Sequence, residues 1–274
     1  MDVALKDFLK EDLGKGDITT KALIGKERAV AVIFSKQDCV LAGLEEASQI
    51  FGLLGLKSST AFVDGQRIHE GDQVLRIEGP ARSILVGERV ALNFLMRMSG
   101  IATQTRDLVN RCKRINPEVE VAATRKTTPG FRYYEKKSVT LGGGNPHRFR
   151  LDSEYLIKDN HLAIVKSISE AIEKAKSKAK GRKIEIEVKT EEEALEAARS
   201  GADIIMLDNM PPETGAKVAE KIGEICNAKI EASGGITPKN IEEYATYANM
   251  ISLGWLTHSF RSMDFSLKII EKVP

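Results

Sequence analysis

Cysteine is scarce in this chain, and long apolar runs are missing. The three cysteines, Cys39, Cys112 and Cys226, lie far apart, are odd in number and form no CxxC. That pattern predicts neither a disulfide framework nor a structural zinc site, and it points to a reducing cytoplasm. His69 sits in a turn-rich segment without ligand spacing, and His161 and His258 lack HExxH-type or CxH partners. A catalytic zinc is therefore not expected. No stretch approaches the roughly 18–20 apolar residues of a membrane span. The opening MDVALKDFLKEDLGKGD has no apolar run followed by a cleavage site, so no signal peptide is predicted. An excess of one charge is also missing: Lys and Arg number 41 against 39 Asp and Glu, a net charge of +2. Nothing global calls for nucleic acid or an anionic membrane as partner. Any positive field must be local, which makes its location informative.

What is present is a chain of 274 residues, 42% of them hydrophobic, enough for a sizeable core. Two textures follow one another. Up to about residue 100 the pattern is α+β. Ala29–Phe34 (AVAVIF) predicts a strand, Gly43–Leu54 an amphipathic helix, and Thr60–Glu78 short strands joined by turns at Asp64-Gly65 and Gly71-Asp72. Ile84–Ile101 is largely apolar and predicts a mostly buried helix, with Arg89 and Arg97 at its margin or at an interface. From about residue 118 strands and helices alternate. The strands are expected at Val119–Thr124, Tyr155–Lys158, Lys183–Val188, Asp203–Leu207, Lys229–Ala232 and Met250–Leu253. The helices between them are expected at Ser167–Lys180, Glu191–Ser200, and near Glu213–Ile225 and Pro238–Tyr247. Such alternation predicts parallel strands with crossover helices, in a closed barrel or an open doubly wound sheet. No dinucleotide-binding glycine fingerprint is present, which favours the barrel. Six clear strands rather than eight make it an incomplete one.

In β/α barrels the chemistry sits at the carboxyl ends of the strands. Here those ends deliver Arg125-Lys126, Lys158, Glu187, Asp208, Ser233-Gly234-Gly235 and Ser252 with Gly254. Between Arg125 and Arg150 stand seven Lys or Arg together with His147, broken into loops by Pro129-Gly130 and Gly142-Gly143-Gly144. A glycine loop beside His147-Arg148 suits a phosphate or carboxylate, since backbone N–H groups can approach anionic oxygens. Arginine offers a planar fork for carboxylates, and lysine a point charge for phosphates. Glu187 and Asp208 end neighbouring strands. They could grip ribose hydroxyls, hold Mg²⁺, stabilise a developing carbocation, or simply pair with Lys126 and Lys158. The Ser233-Gly234-Gly235 and Ser252–Gly254 loops after the last two strands suit a phosphate, with Thr237-Pro238 starting a helix behind it.

These residues carry a resemblance. EDLGKGDITT at Glu11–Thr20, GERVALNFLMRMSGIAT at Gly87–Thr103, TRKTTPGFR at Thr124–Arg132 and GGGNPHR at Gly142–Arg148 belong to it. So do LIKDNH at Leu156–His161, IMLDNM at Ile205–Met210, EASGGI at Glu231–Ile236 and SLGWLTHS at Ser252–Ser259. Together, and in this order, they resemble the quinolinate phosphoribosyltransferases (nicotinate-nucleotide pyrophosphorylases, carboxylating), a type II phosphoribosyltransferase family. The chain departs from many members at Lys136–Thr140, where they read KYAVR, and at Pro146, where they read Asn before His-Arg.

The resemblance implies an α/β sandwich domain over residues 1–102, with the tail 256–274 packing on it, followed by an incomplete seven-stranded β/α barrel over 103–255. It implies phosphoribosyl transfer to quinolinate with decarboxylation, in NAD biosynthesis. It further implies Mg²⁺ with phosphoribosyl pyrophosphate, and a homodimer or a hexamer (a trimer of dimers) with shared active sites. Carried over residue by residue, Arg125, His147 and Arg148 would hold quinolinate, together with Arg89 from a second subunit. Lys126 and Lys158 would meet carboxylate or pyrophosphate. Glu187 and Asp208 would hold the ribose and its Mg²⁺. Ser233, Gly234, Gly235, Ser252 and Gly254 would surround the 5′-phosphate. Lys136, Lys137 and Arg150 are expected to be solvated charge. Two other readings compete. One is a relative acting on nicotinate or resembling the proteins associated with molybdenum transport. The other is a catalytically silent anion-binding barrel, whose mark would be loss of Glu187 or Asp208; both are present.

Overall fold

The computed structural model describes residues 2–273. The chain forms two compact units, one from the segment up to Gln104 together with that from Phe260 on, the other Thr105–Ser259. The first unit starts with α1 (Asp2–Leu13) and α2 (Ile18–Leu23), the latter capped by Asp17, which accepts from Thr20 N at 2.9 Å. There follow β1 (Arg28–Ser35), β2 (Cys39–Val40), α3 (Leu44–Leu53), β3 (Lys57–Ser59), β4 (Arg67–Ile68) and β5 (Gln73–Pro80). In α3, Leu44, Ala47, Ile50 and Phe51 are buried, the spacing of one helix face. Gly43 has no side chain to cap this helix. Asp64 serves instead, accepting from Leu44 N at 2.9 Å and Glu45 N at 3.2 Å.

Helix α4 (Ala81–Lys113) runs 33 residues, well beyond the apolar stretch that predicts it. Charge returns after Ile101, yet the helix continues because its arginines find partners. Arg106 donates to Gly142 O at 2.8 Å, and Arg111 to Glu242 at 2.9 Å. Within the first unit Arg97 stacks its guanidinium 4.6 Å from the Phe260 ring centre. Gly100 lets α4 approach the backbone closely, since a Cβ there would lie 2.4 Å from Arg261 O.

The second unit is built on parallel strands. In chain order it contains β6 (Glu120–Ala122), α5 (Arg132–Leu141), β7 (Tyr155–Ile157), α6 (Asp159–Val165), α7 (Ile168–Ala179), β8 (Ile184–Val188) and α8 (Glu191–Arg199). It continues with β9 (Ile204–Asp208), α9 (Pro212–Ile225), β10 (Lys229–Ser233), α10 (Ile241–Tyr244), β11 (Met250–Ser252) and α11 (Trp255–His258). The sheet order is β7-β8-β9-β10-β11-β6. It has six strands among the described residues. At the outer side of β6 a single parallel bridge joins Ala122 to Asn145, with Asn145 N donating to Val121 O at 2.8 Å.

Strands β8 and β9 are buried almost throughout, as parallel strands covered on both faces must be. Ile172 of α7, Ala194 and Ala197 of α8, and Val218 and Ile222 of α9 pack with Ile186, Ile205 and Leu207 of the sheet. Capping places two of these helices: Ser167 accepts from Glu170 N and Thr190 from Glu193 N, each at 3.2 Å. Strand β12 (Phe265–Val273) lies in the first unit, where it pairs antiparallel with β1 and completes the sheet β12-β1-β5-β3. Among the described residues, no helix is long and apolar enough to cross a membrane.

Candidate active site

Register decides what the parallel strands present at their carboxyl ends. Ser233 lies opposite Asp208, and Ser252 opposite Ala122, the last residue of β6. Ile157 pairs with Ile186, so Lys158 follows beside Glu187. The strand period of two then stacks two layers of side chains on one face. Glu187, Ser233 and Lys158 form the upper layer. Glu185 and Glu231, each two residues earlier, lie below. The upper layer lines a cavity of about 560 Å³ together with Arg125, Lys126, Arg148, Asp208, Gly234, Gly235 and Ser252. The Lys158 ammonium is ion-paired with Glu187. Ser252 Oγ donates to Ser233 Oγ at 3.0 Å.

The cations crowd one side. Arg148 is only 9% exposed. Burial, and then the Arg125 guanidinium, push its pKa down. Lys136 lies behind them and is 2% exposed. Burial, with Arg132, Arg125 and Arg148 around it, pushes its ammonium down to about 8. Lys136 is thus not the solvated charge that the sequence suggests. It donates to Arg148 O at 3.0 Å and to Pro146 O. Arg125 Nε is buried without a hydrogen-bond partner. Lys136 and Arg148, each held down by burial and neighbouring guanidinium groups, together with the unused donor of Arg125, make a cluster that an anion would stabilise.

Below them Glu185 and Glu231 are fully buried. His147 Nε2 lies 3.1 Å from Glu231 Oε2 and 3.6 Å from Glu185 Oε2. Burial, and then the Glu231 carboxylate, push Glu185 up to about 9 from its ordinary 4.5. The unfolded chain therefore releases this proton near pH 4.5, while the folded chain keeps it to about pH 9. Glu185's contribution to stability is full below about pH 4.5 and is lost as pH rises to 9. Glu185→Gln removes that titration. Its unfolding free energy is expected to gain on wild type from pH 5 to 8, by on the order of 4 kcal/mol. Urea unfolding across that pH range, without added metal, checks it; parallel curves would refute it.

Comparison with known proteins now decides the family. The model of the quinolinate phosphoribosyl transferase N-terminal domain matches residues 17–99, and that of its C-terminal domain residues 101–268. This chain belongs to the quinolinate phosphoribosyltransferase family. A probable nicotinate-nucleotide pyrophosphorylase [carboxylating] from Methanothermobacter thermautotrophicus is 44% identical, over 98% of both chains. The nicotinate-nucleotide pyrophosphorylase [carboxylating] of Homo sapiens is 37% identical, over 88% of this chain and 82% of its own. The crystal structure of NadC from Streptococcus pyogenes superposes with a TM-score of 0.93 at 39% identity, covering 100% of this chain and 97% of that one.

In this quinolinate phosphoribosyltransferase-family chain, the cavity brings together eleven of the residues singled out from sequence: the ten lining residues named above, Glu187, Ser233, Lys158, Arg125, Lys126, Arg148, Asp208, Gly234, Gly235 and Ser252, with His147. Gly254 is not in the lining but packs against the Lys126 stem at the start of α11. Arg89 is exposed on α4 in the first unit. Several lining residues escaped the sequence reading. Asn209 sits at φ 55 beside Gly234, and its side chain donates to Asp208 at 2.8 Å. Its signal was its place in Asp208-Asn209, since asparagine tolerates the left-handed turn that ends a strand here. Glu231 also lines the cavity. Its signal, and that of Glu185, was a glutamate on the inward face of an otherwise apolar parallel strand. His161 proves to be a helix-start residue, its Nδ1 accepting from Lys158 N at 2.9 Å.

Proposed function

We propose that this protein transfers phosphoribosyl from phosphoribosyl pyrophosphate to quinolinate with decarboxylation. The products are nicotinate mononucleotide, pyrophosphate and CO₂, and the reaction serves NAD biosynthesis. One observation carries the reading: Arg125, Lys126 and Arg148, with buried Lys136 behind them, share one cavity with two carboxylates, Glu187 and Asp208. A dicarboxylate acceptor answers the cations, and a ribosyl cation forming at C1 answers the carboxylates.

Arg125 and Arg148 hold the two acceptor carboxylates, with His147 beside them. The pyridine nitrogen lone pair forms the bond to C1 as the bond from C1 to the pyrophosphate oxygen breaks. Glu187 and Asp208 stabilise the positive charge developing on the ribose. Lys126 and Lys158 meet the departing pyrophosphate. Once the nitrogen is quaternary, the bond to the 2-carboxylate breaks with its electrons left on C2 beside the cationic nitrogen, CO₂ leaves, and C2 takes a proton. The protein mainly positions the reactants. No covalent nucleophile is required. Ser233, Gly234, Gly235, Ser252 and Gly254 take the 5′-phosphate.

The donor set fits Mg²⁺ shared with the donor. This ion needs only one or two protein carboxylates beside substrate phosphates and water, and Glu187 and Asp208 supply two. Bound there, Mg²⁺ would neutralise charge on the pyrophosphate. A seventh barrel strand would be supplied by the segment around Asn145, which a single bridge joins to β6. The protein works in the cytoplasm as a homodimer, alone or as a trimer of dimers, and exposed Arg89 completes the cavity of a second subunit.

The test is CO₂ release from carboxyl-labelled quinolinate, with and without phosphoribosyl pyrophosphate and Mg²⁺, with nicotinate as competing acceptor. Release that depends on the donor is expected, with nicotinate left unconsumed. Consumption of nicotinate, or no donor-dependent release, overturns the reading.

A further inference from the structure

His147, Glu185 and Glu231 place three potential ligand atoms within 4.8 Å of one another inside the sheet of the second unit. A metal ion is the obvious occupant, but the imidazole argues against one. Arg148 N donates to His147 Nδ1 at 2.8 Å. The Nδ1 lone pair is therefore in use, and the ring proton sits on Nε2. An Nε2–H cannot ligate a metal. It donates to Glu231 Oε2, 3.1 Å away.

The same bonds grip a strained turn. His147 adopts φ 53, in the left-handed region that a β-carbon disfavours. Its N–H donates to Asn145 Oδ1 at 2.7 Å. Lys136 holds the carbonyls of Pro146 and Arg148 on either side. Both ring nitrogens of His147 are engaged, one by Glu231 and one by the Arg148 backbone. His147 thus reaches the cavity mainly through what it does to Arg148. Glu231 keeps its other oxygen, Oε1, buried without a partner. A fold holds such an oxygen at a cost, and the bond to His147 is what the carboxylate supplies in return.

We propose that Glu231 is a positioning residue for the acceptor. Through His147 it fixes the backbone of Arg148 and so aims that guanidinium at a substrate carboxylate. The proposal rests on the reading that Arg148 holds the dicarboxylate acceptor. It gives Glu231 no contact with the ribose or phosphate of the donor.

The test compares Glu231→Leu with Glu231→Gln, whose amide oxygen can still accept from Nε2–H. Misaiming a binding group by about an ångström costs up to about 100-fold, so Glu231→Leu is expected to raise KM for quinolinate by about 10- to 100-fold. KM for phosphoribosyl pyrophosphate is expected to stay within about twofold, and Glu231→Gln to stay near wild type, because neither loses a contact. In an Arg148→Ala background, Glu231→Leu is expected to add nothing to the quinolinate KM. If Glu231→Leu loses its cooperative unfolding transition, His147→Asn tests the same link. Asparagine accepts the left-handed turn but cannot span from Arg148 N to Glu231, and the same selective rise is expected. Equal rises in both KM values, indistinguishable Leu and Gln variants, or an undiminished effect without Arg148 each overturn the proposal. Wild-type turnover of quinolinate separates this failure from failure of the functional reading.

Discussion

Replacing Lys158 by alanine is expected to lower turnover on quinolinate by about 100- to 1,000-fold, the scale of losing one group aimed at transition-state charge. The fold is expected to survive. Lys158 N donates to His161 Nδ1 whatever the side chain, so the start of α6 is kept. What changes is charge. The ammonium pairs with Glu187, whose side chain is 11% exposed against 41% for the lysine. Without Lys158 the carboxylate stands unpaired in the cavity, and on the proposed reading one fewer cation would meet the leaving pyrophosphate. Both changes raise the barrier, since the donor already carries several negative charges. Steady-state kinetics with saturating Mg²⁺, beside a thermal unfolding curve, checks this. A kcat above about a tenth of wild type would remove Lys158 from the site, given the size of such effects.

How far the sequence reaches depends on how local the governing interaction is. The crossover helices are legible because their signals sit within a few residues: Ser167 caps with Glu170, and Thr190 with Glu193. The alternation in KIEIEV places Glu185 and Glu187 on one face without further information. Helix α5 was hidden in a segment with seven cations that glycines interrupt. Its Lys136 is buried because its ammonium reaches carbonyls ten and twelve residues on. Strand β12 depended on β1 as its partner, far earlier in the chain. The helix expected near Pro238 shrinks to Ile241–Tyr244. Residues 237–240 form a turn instead, in which Thr237 Oγ1 accepts from Lys239 N at 3.3 Å and Thr237 N donates to Asn240 Oδ1 at 2.8 Å. The rim of charged residues was legible from strand ends. The layer beneath it, Glu231 and His147 behind Arg148, depends on a turn whose strain and partners appear only in three dimensions.

Gly234→Ala is expected to raise KM for phosphoribosyl pyrophosphate by about 100-fold, more than any other small substitution in the loop after β10. Gly234 sits at φ +85, where an L side chain is strained by about 1–2 kcal/mol. Space adds to the strain. A Cβ there would lie 2.5 Å from Asn209 Cγ and 2.7 Å from Asn209 N. The backbone nitrogen cannot yield freely, because it donates to Ser233 O at 2.9 Å. Asn209 also holds Asp208 through its side chain, so a shift there moves a carboxylate of the site. The loop's own N–H groups, which a phosphate would approach, move with it. Gly235 provides the internal control. It too has a positive φ, +61, but a Cβ there meets only Asn209 Oδ1, at 3.7 Å. Gly235→Ala therefore carries the strain without the collision and is expected to cost about tenfold, the rate equivalent of that strain. Kinetics of both variants at saturating quinolinate separate the two causes. Equal effects would mean that backbone strain alone governs the loop, and a Gly234→Ala enzyme close to wild type would mean that the donor phosphate binds elsewhere.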